Sequence, residues 1–157
     1  MHEIVSRIDD ICWETIDVTY NWSSEIFGNA KEIANNLHDL FSGDMDLAMT
    51  AAHNLWCRLS HQHSYVSSAA LPAYDFLVVG LEELNERLKV EILDIILGFA
   101  ICTNSAAYKE AEREPLPWEV ELKQRLISDT HKFNALALSN NDDISYFANE
   151  IISNIGS

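Results

Sequence analysis

The segment from Glu86 to Thr103 constrains the fold more than any other part of the chain. Leu88, Ile92, Leu93, Ile95, Ile96, Leu97, Phe99, Ile101 and Cys102 make it apolar nearly all round after its first turns. A helix with a single apolar stripe can lie on a surface, whereas one apolar on every side must be sandwiched between other helices. Asp94 interrupts the run, and its apolar core from Ile92 to Cys102 falls far short of the about 20 residues needed to cross a bilayer. The segment is therefore expected to be the buried pillar of an all-α domain.

The rest of the chain supplies helices to cover that pillar. Ile4, Ile8, Ile11, Cys12 and Ile16 fall on one helical face and predict a first helix over residues 3–18. The run Thr19-Tyr20-Asn21-Trp22-Ser23-Ser24 reads as a connector. Asn29 as N-cap, with Glu32 three residues on and Ile33, Leu37 and Leu40 as the apolar stripe, predicts a helix over 29–42 that Gly43 ends. Leu47, Ala48, Ala51, Ala52, Leu55, Trp56 and Leu59 predict the next, over 44–60. Ser68 reads as the cap of a helix over 69–84, with Pro72 in its first turn and Gly80 allowing a neighbour to approach. A polar stretch, Tyr108 to Glu114, leads to Pro115 and Pro117, which open one long helix over 117–139 through Trp118, Leu122, Leu126, Phe133 and Ala137. Asn140-Asn141-Asp142 then caps a last helix carrying Ile144, Phe147, Ile151 and Ile155. No segment alternates with the period of two that a strand requires.

The pair of helices at 29–42 and 44–60 maps onto the pair at 69–84 and 86–103 with an offset of about 40 residues, the spacing of HEAT and armadillo repeats. The fold class read from this is all-α, with six to seven helices arranged as stacked antiparallel hairpins in a HEAT-like α-α superhelix over residues 1–157 as one domain. A plain helical bundle is the alternative. With 48% apolar residues in 157, the chain can build such a core without a metal or disulfide staple.

The run Trp22…Phe27-Gly28-Asn29-Ala30…Ile33…Leu37…Leu40, then Ala52…Leu55-Trp56…His61-Gln62-His63-Ser64-Tyr65…Ser68-Ala69…Pro72…Phe76-Leu77…Leu81…Glu91-Ile92-Leu93-Asp94-Ile95-Ile96, resembles a family of bacterial HEAT-like repeat proteins over residues 20–103. In that family a W-x-HQGxxYxAxxxxxPFL type of segment joins the two central hairpins. His63 stands where the family tends to have Gly, and Tyr74-Asp75 precedes Phe76 where the family has apolar residues. The resemblance implies a superhelical binding scaffold, some members of the family looking like immunity proteins encoded beside toxin genes.

Charge is the second strong feature, with 25 Asp and Glu against 10 Lys and Arg and a formal net charge of -15. Such a surface repels nucleic acid and anionic membranes, so neither is expected as a direct partner. The carboxylates fall at Asp9, Asp10, Glu14 and Asp17, at Glu82, Glu83 and Glu86, at Glu119 and Glu121, and at Asp142 and Asp143, all read as lying on outer helix faces. Their excess exceeds what solubility requires and points to a cationic protein partner. Candidate contact residues are Trp22, Tyr65 and Tyr74, as aromatic anchors in connectors or at helix starts, with Asp75, Glu82, Glu83 and Glu86. Asp75 also reads as dipole compensation in a first helical turn.

Cys12, Cys57 and Cys102 are far apart, form no CxxC and sit on helical apolar patterns, so they read as reduced core residues of a cytoplasmic chain. Met1-His2-Glu3 is no basic leader and no apolar run follows it, which also predicts a cytoplasmic location. His53, Cys57 and His61 at i, i+4 and i+8 would suit zinc if the helix ran that far, but the region reads as a helix end. His61 and His63 with nearby carboxylates would suit acid–base chemistry, but nothing fixes a nucleophile, an oxyanion donor or a phosphate clamp. His61, Gln62 and His63 are therefore read as a structural loop bracing a hairpin junction, with no catalytic residue, metal or cofactor expected. The function expected is that of an immunity or antitoxin protein neutralising a basic toxin domain, a nuclease above all. A HEAT-like protein-interaction adaptor and an acidic DNA-mimic inhibitor are the rival readings.

Overall fold

The computed structural model describes residues 2–156, and the side chains of all of these except His2 and Gln62. Among them it is all-helical, with three isolated β-bridges and no strand. Nine α-helices run in the order α1 (His2–Asp9), α2 (Lys31–Leu40), α3 (Met45–Leu59), α4 (Ala70–Glu83), α5 (Glu86–Cys102), α6 (Ser105–Ala111), α7 (Pro117–Ser128), α8 (Thr130–Leu136) and α9 (Asp142–Ile155). That is more than the six to seven expected from the sequence.

α5 is the pillar. Leu88, Ile92, Leu93, Ile95, Ile96, Leu97, Phe99, Ala100 and Cys102 are all buried, because α3, α4, α7 and α9 pack around it. Two glycines set how closely this happens. A Cβ on Gly80 of α4 would sit 2.7 Å from Ile92 Cδ1, so its absence lets α4 lie tight on α5 as the sequence led us to expect. A Cβ on Gly98 would sit 2.5 Å from Ser60 Cβ, so this glycine admits the turn after α3 against the far end of α5. Among the described residues no single helix is long and apolar enough to cross a membrane, and α5 and α6, which together have the length, meet at 54°.

Caps fix where the helices start. Asp44, Asn85 and Asn104 each accept the backbone N–H three residues on, from Leu47, Leu88 and Ala107, opening α3, α5 and α6. Asn141 accepts from Asp143 and Ile144 at the head of α9, and Pro117 is the first residue of α7. These starts place three helices in one direction. The Asn85 amide reaches Met45 Sδ (3.4 Å) and the Asn141 amide donates to Glu86 (3.1 Å), while at the other end Ser60 meets Gly98 and the Asn104 amide donates to Asn154 (3.0 Å). α3, α5 and α9 therefore run parallel, and α2, α4 and α8 return between them, α2 packing on α3, α4 on α5 and α8 on α9.

Several expectations are corrected. The first helix stops at Asp9 rather than continuing to residue 18, because Trp13 turns inward and its indole N–H donates to the Ile8 carbonyl (2.8 Å) at the helix end. A 3-10 turn, Trp13–Thr15, follows, and the β-branched run after it is extended, with Val18 and Phe27–Gly28 exchanging backbone hydrogen bonds. The long helix over 117–139 is broken at Asp129, whose N–H is shared between the Arg125 and Leu126 carbonyls. Within the polar stretch from Tyr108, residues up to Ala111 belong to α6. Asn29 does not cap α2: Ala30 holds that place, and the Asn29 side chain accepts the Lys31 N–H (3.0 Å). Ser68 does not cap α4 either, being tied instead to Thr19 and Asp17 in the connector. Of the cysteines only Cys102 is buried, and Cys12 is exposed because α1 ends before it.

Candidate protein-interaction surface

The parallel run of α3, α5 and α9 gives the molecule two unlike edges, separated by the 17 residues of α5, or about 25 Å at 1.5 Å per residue. At the first edge lie the α2–α3, α4–α5 and α8–α9 turns. Asp44, Asp46, Glu82, Glu83, Glu86, Asp142 and Asp143 are all exposed there. Five of these belong to the N-terminal turns of α3, α5 and α9, where the positive end of the helix dipole stabilises a carboxylate. Parallel packing thus gathers ordinary first-turn acids at a single place.

Glu82 and Glu83 do not fit that explanation. They close α4, whose last turn holds no basic residue, so they face the negative end of its dipole and oppose helix stability. Glu82 has one cation, Lys132 Nζ at 3.2 Å. Lys132 also approaches Asp129 Oδ1 at 3.7 Å. Among the described residues Arg113, Arg125 and Lys132 are the only lysines and arginines that pair with carboxylates, engaging Asp75, Glu82, Glu119, Glu121 and Asp129, while His38 and His63 meet Asp9 and Asp94. Most of the acidic excess therefore faces solvent unneutralised.

The second edge is aromatic. Ser68 Oγ accepts the Thr19 N–H (2.9 Å), and Asn21 exchanges hydrogen bonds with Val66, so the connector is clipped to the segment after α3. This sets Tyr20 and Trp22 against Tyr65, with ring centroids 5.0 and 5.6 Å away, and against Phe27 at 5.2 and 5.8 Å. Trp22 remains 57% exposed, with Ile26 and Phe27 open beside it. The His61 ring stacks on Tyr65 at 4.5 Å.

The loop beneath the aromatic edge is a brace. His61 and His63 have positive φ (20° and 64°), and His63 lies in the left-handed region. His63 Nε2 has two acceptors, Asp94 Oδ1 (2.7 Å) and the Asp94 carbonyl (2.9 Å), so that nitrogen carries a proton. The Asp94 hydrogen bond holds the His63 pKa above its ordinary value against the opposing effect of burial. The Cys102 thiol donates to the His63 carbonyl (3.5 Å), and burial beside Glu119 pushes that thiol up to about 12. His61 donates to the Cys57 carbonyl (3.3 Å) and the His53 ring stacks on Trp56. No three His, Cys, Asp or Glu side chains converge as metal ligands among the described residues. The reading of Gln62 as part of the brace falls on a side chain outside those described.

The sequence-predicted contact residues are thus divided by the fold. Trp22 and Tyr65 stand together at the aromatic edge, and Glu82, Glu83 and Glu86 at the acidic one. Asp75 is exposed between them and pairs with Arg125 (2.9 Å). Tyr74 is fully buried in α4 and its hydroxyl donates to Asp129 Oδ2 (2.8 Å), so it is a core residue and not a surface anchor. Burial, with the Asp129 hydrogen bond, raises its pKa far above the usual phenol range. Glu119, expected on an outer face, is also fully buried, paired with both Arg113 guanidinium nitrogens (2.5 and 3.0 Å) and accepting the Leu116 N–H (2.7 Å). Sequence reasoning missed Asp129 and Lys132 because nothing signalled the helix break that aims them at α4. No protein-family model, curated protein or solved structure matches the chain.

Proposed function

We propose that this protein is a helical binding module that captures a basic protein through its acidic edge, and that the partner is a toxin domain which the complex holds inactive. One observation carries the reading: Glu82 and Glu83 sit where the α4 dipole disfavours them, beside five acids gathered by three parallel helix starts. Carboxylates kept at a cost in stability are the pattern of a surface maintained for function. A patch of this sign speeds encounter with a cationic partner and occupies the groove with which a nuclease would hold its phosphates. Two further features support a HEAT-like stack as the scaffold. Lys31 and Met45 begin helices that correspond to those begun by Ala70 and Glu86, and the left-handed residue His63 stands where the resembled family carries Gly.

The aromatic edge favours a second reading, an adaptor docking through Trp22, Ile26 and Phe27, since open aromatic clusters of this kind mark interaction sites. Salt separates the two. Binding through the acidic edge weakens steeply between low and high ionic strength and is lost in Glu82→Gln/Glu83→Gln, whereas binding through the aromatic edge changes little with salt and is lost in Trp22→Ala. Co-expression with the neighbouring gene's product tests the toxin reading itself. It fails if that product neither co-purifies with this protein nor becomes toxic without it.

A further inference from the structure

The break at Asp129 opens a groove between the C-terminal half of α4 and α8. Val78 and Leu81 form one wall and Phe133 and Leu136 the other, with Ala135 at the mouth. The pocket holds about 220 Å³, below the about 300–1,000 Å³ of small-molecule sites and on the scale of one apolar side chain. Its rim is charged. Glu82 and Asp129 face each other there, and Lys132 lies between them, 3.2 and 3.7 Å away. Asp129 is held in place from behind by the Tyr74 hydroxyl, and Leu138, just beyond the pocket at the end of α8, is 85% exposed.

We infer that this pocket takes an apolar side chain of the basic partner, whose neighbouring lysine or arginine replaces Lys132 between Glu82 and Asp129. The inference rests on the acidic-edge reading and says where on that edge the specific contact is made. Charge complementarity selects the occupant. The rim already holds an ammonium group between two carboxylates, and the exposed Glu83 and Glu86 extend the same sign away from it. An apolar anchor ringed by charge is the usual composition of a binding hot spot, with the anchor supplying affinity and the rim supplying orientation. Carboxylates alone would bind any polycation, and the pocket adds a requirement that only some basic segments meet.

The test uses the full chain, isotope-labelled for amide spectra, and two lysine-rich synthetic peptides identical except for a central Leu or Ser. The leucine peptide is expected to bind about tenfold or more tightly than the serine peptide, shifting the amides of Val78, Leu81, Phe133 and Leu136. Ala135→Trp, which places a large ring at the mouth from an exposed helix position, should bring the two peptides to equal affinity. Equal affinities on the unmodified protein, with shifts confined to Glu83, Glu86 and Asp142–Asp143, would overturn the pocket and leave the acidic edge standing. If neither peptide binds in a salt-dependent way, the acidic-edge reading falls and the pocket falls with it.

Discussion

Gly98→Ala tests the packing of the pillar, because two physical effects give opposite signs. Helix propensity alone favours alanine over an interior glycine by about 1 kcal/mol. The structure opposes that gain, since the new Cβ would lie 2.5 Å from Ser60 Cβ, 2.7 Å from Ser60 Oγ and 3.0 Å from His63 Cδ2. Ordinary contacts begin about 1 Å further out, and the first atom met is a Cβ anchored to the main chain, which cannot rotate away. Overpacking of this kind costs about 1–3 kcal/mol, so after the propensity gain the net effect is a loss of up to about 2 kcal/mol. For a chain of this size that lowers the melting temperature by up to about 8 °C. Urea melts followed by far-UV circular dichroism measure it, and near-UV signals from Tyr20, Trp22 and Tyr65 should change as the turn retreats. Ser60→Gly in the same chain removes both of the nearest atoms and should restore most of the loss, so the double-mutant cycle isolates the contact. A Gly98→Ala protein more stable than the parent by about 1 kcal/mol would refute the close approach of the turn to α5.

Four other outcomes are expected. Ile96→Ala empties a fully buried site on α5 and should cost about 2–5 kcal/mol in the same melts; a loss under about 1 kcal/mol would contradict its central placement. Arg113→Ala leaves the buried Glu119 carboxyl group without its cation and should cost about 3–5 kcal/mol, far more than removing Arg125, whose partners Asp75 and Glu121 are exposed. Glu83→Gln should leave the fold as stable or slightly more so, by about 0.3–1 kcal/mol, while weakening partner capture at low salt; a destabilised variant would remove the reason for calling Glu83 functional. The raised His63 pKa adds stability that is fully present below the unfolded value near 6.5 and is lost as pH rises through the folded pKa. Melting temperature should accordingly fall from pH 6 to pH 8, and His63→Asn, which tolerates the left-handed backbone, should flatten that slope. An unchanged slope in the variant would assign it to another group.

How much was legible in the sequence follows from which signals are local. Asn141 caps α9 within the turn that the sequence marked, and Pro117 opens α7 as expected, because a cap acts within four residues of itself. The apolar residues of α5 were recognisable as core because nothing but burial accommodates a helix greasy on all sides. Breaks without a breaker residue were not visible. Leu126 and Phe133 keep helical spacing across Asp129, and Ile8, Ile11 and Ile16 keep it past Asp9, yet both helices end there. In each case a contact distant in sequence accompanies the break: Tyr74 holds Asp129 across 55 positions, and Trp13, folded back on Ile8, packs against Phe76 of α4.

The candidate surface divides in the same way. Sequence by itself determined that the chain is helical, that Glu86 to Thr103 is its core, and that an excess of carboxylates must face solvent, because periodicity and charge are properties of the residues themselves. It assigned Trp22, Tyr65 and the acids near Glu82 to one set of contacts. Only the tertiary structure decided that these lie at opposite ends of α5, that Tyr74 and Glu119 are enclosed, and that Lys132 stands between Glu82 and Asp129. The reason is that a helix start and its dipole are local, whereas the direction in which three helices pack is set by the contacts each makes with the others.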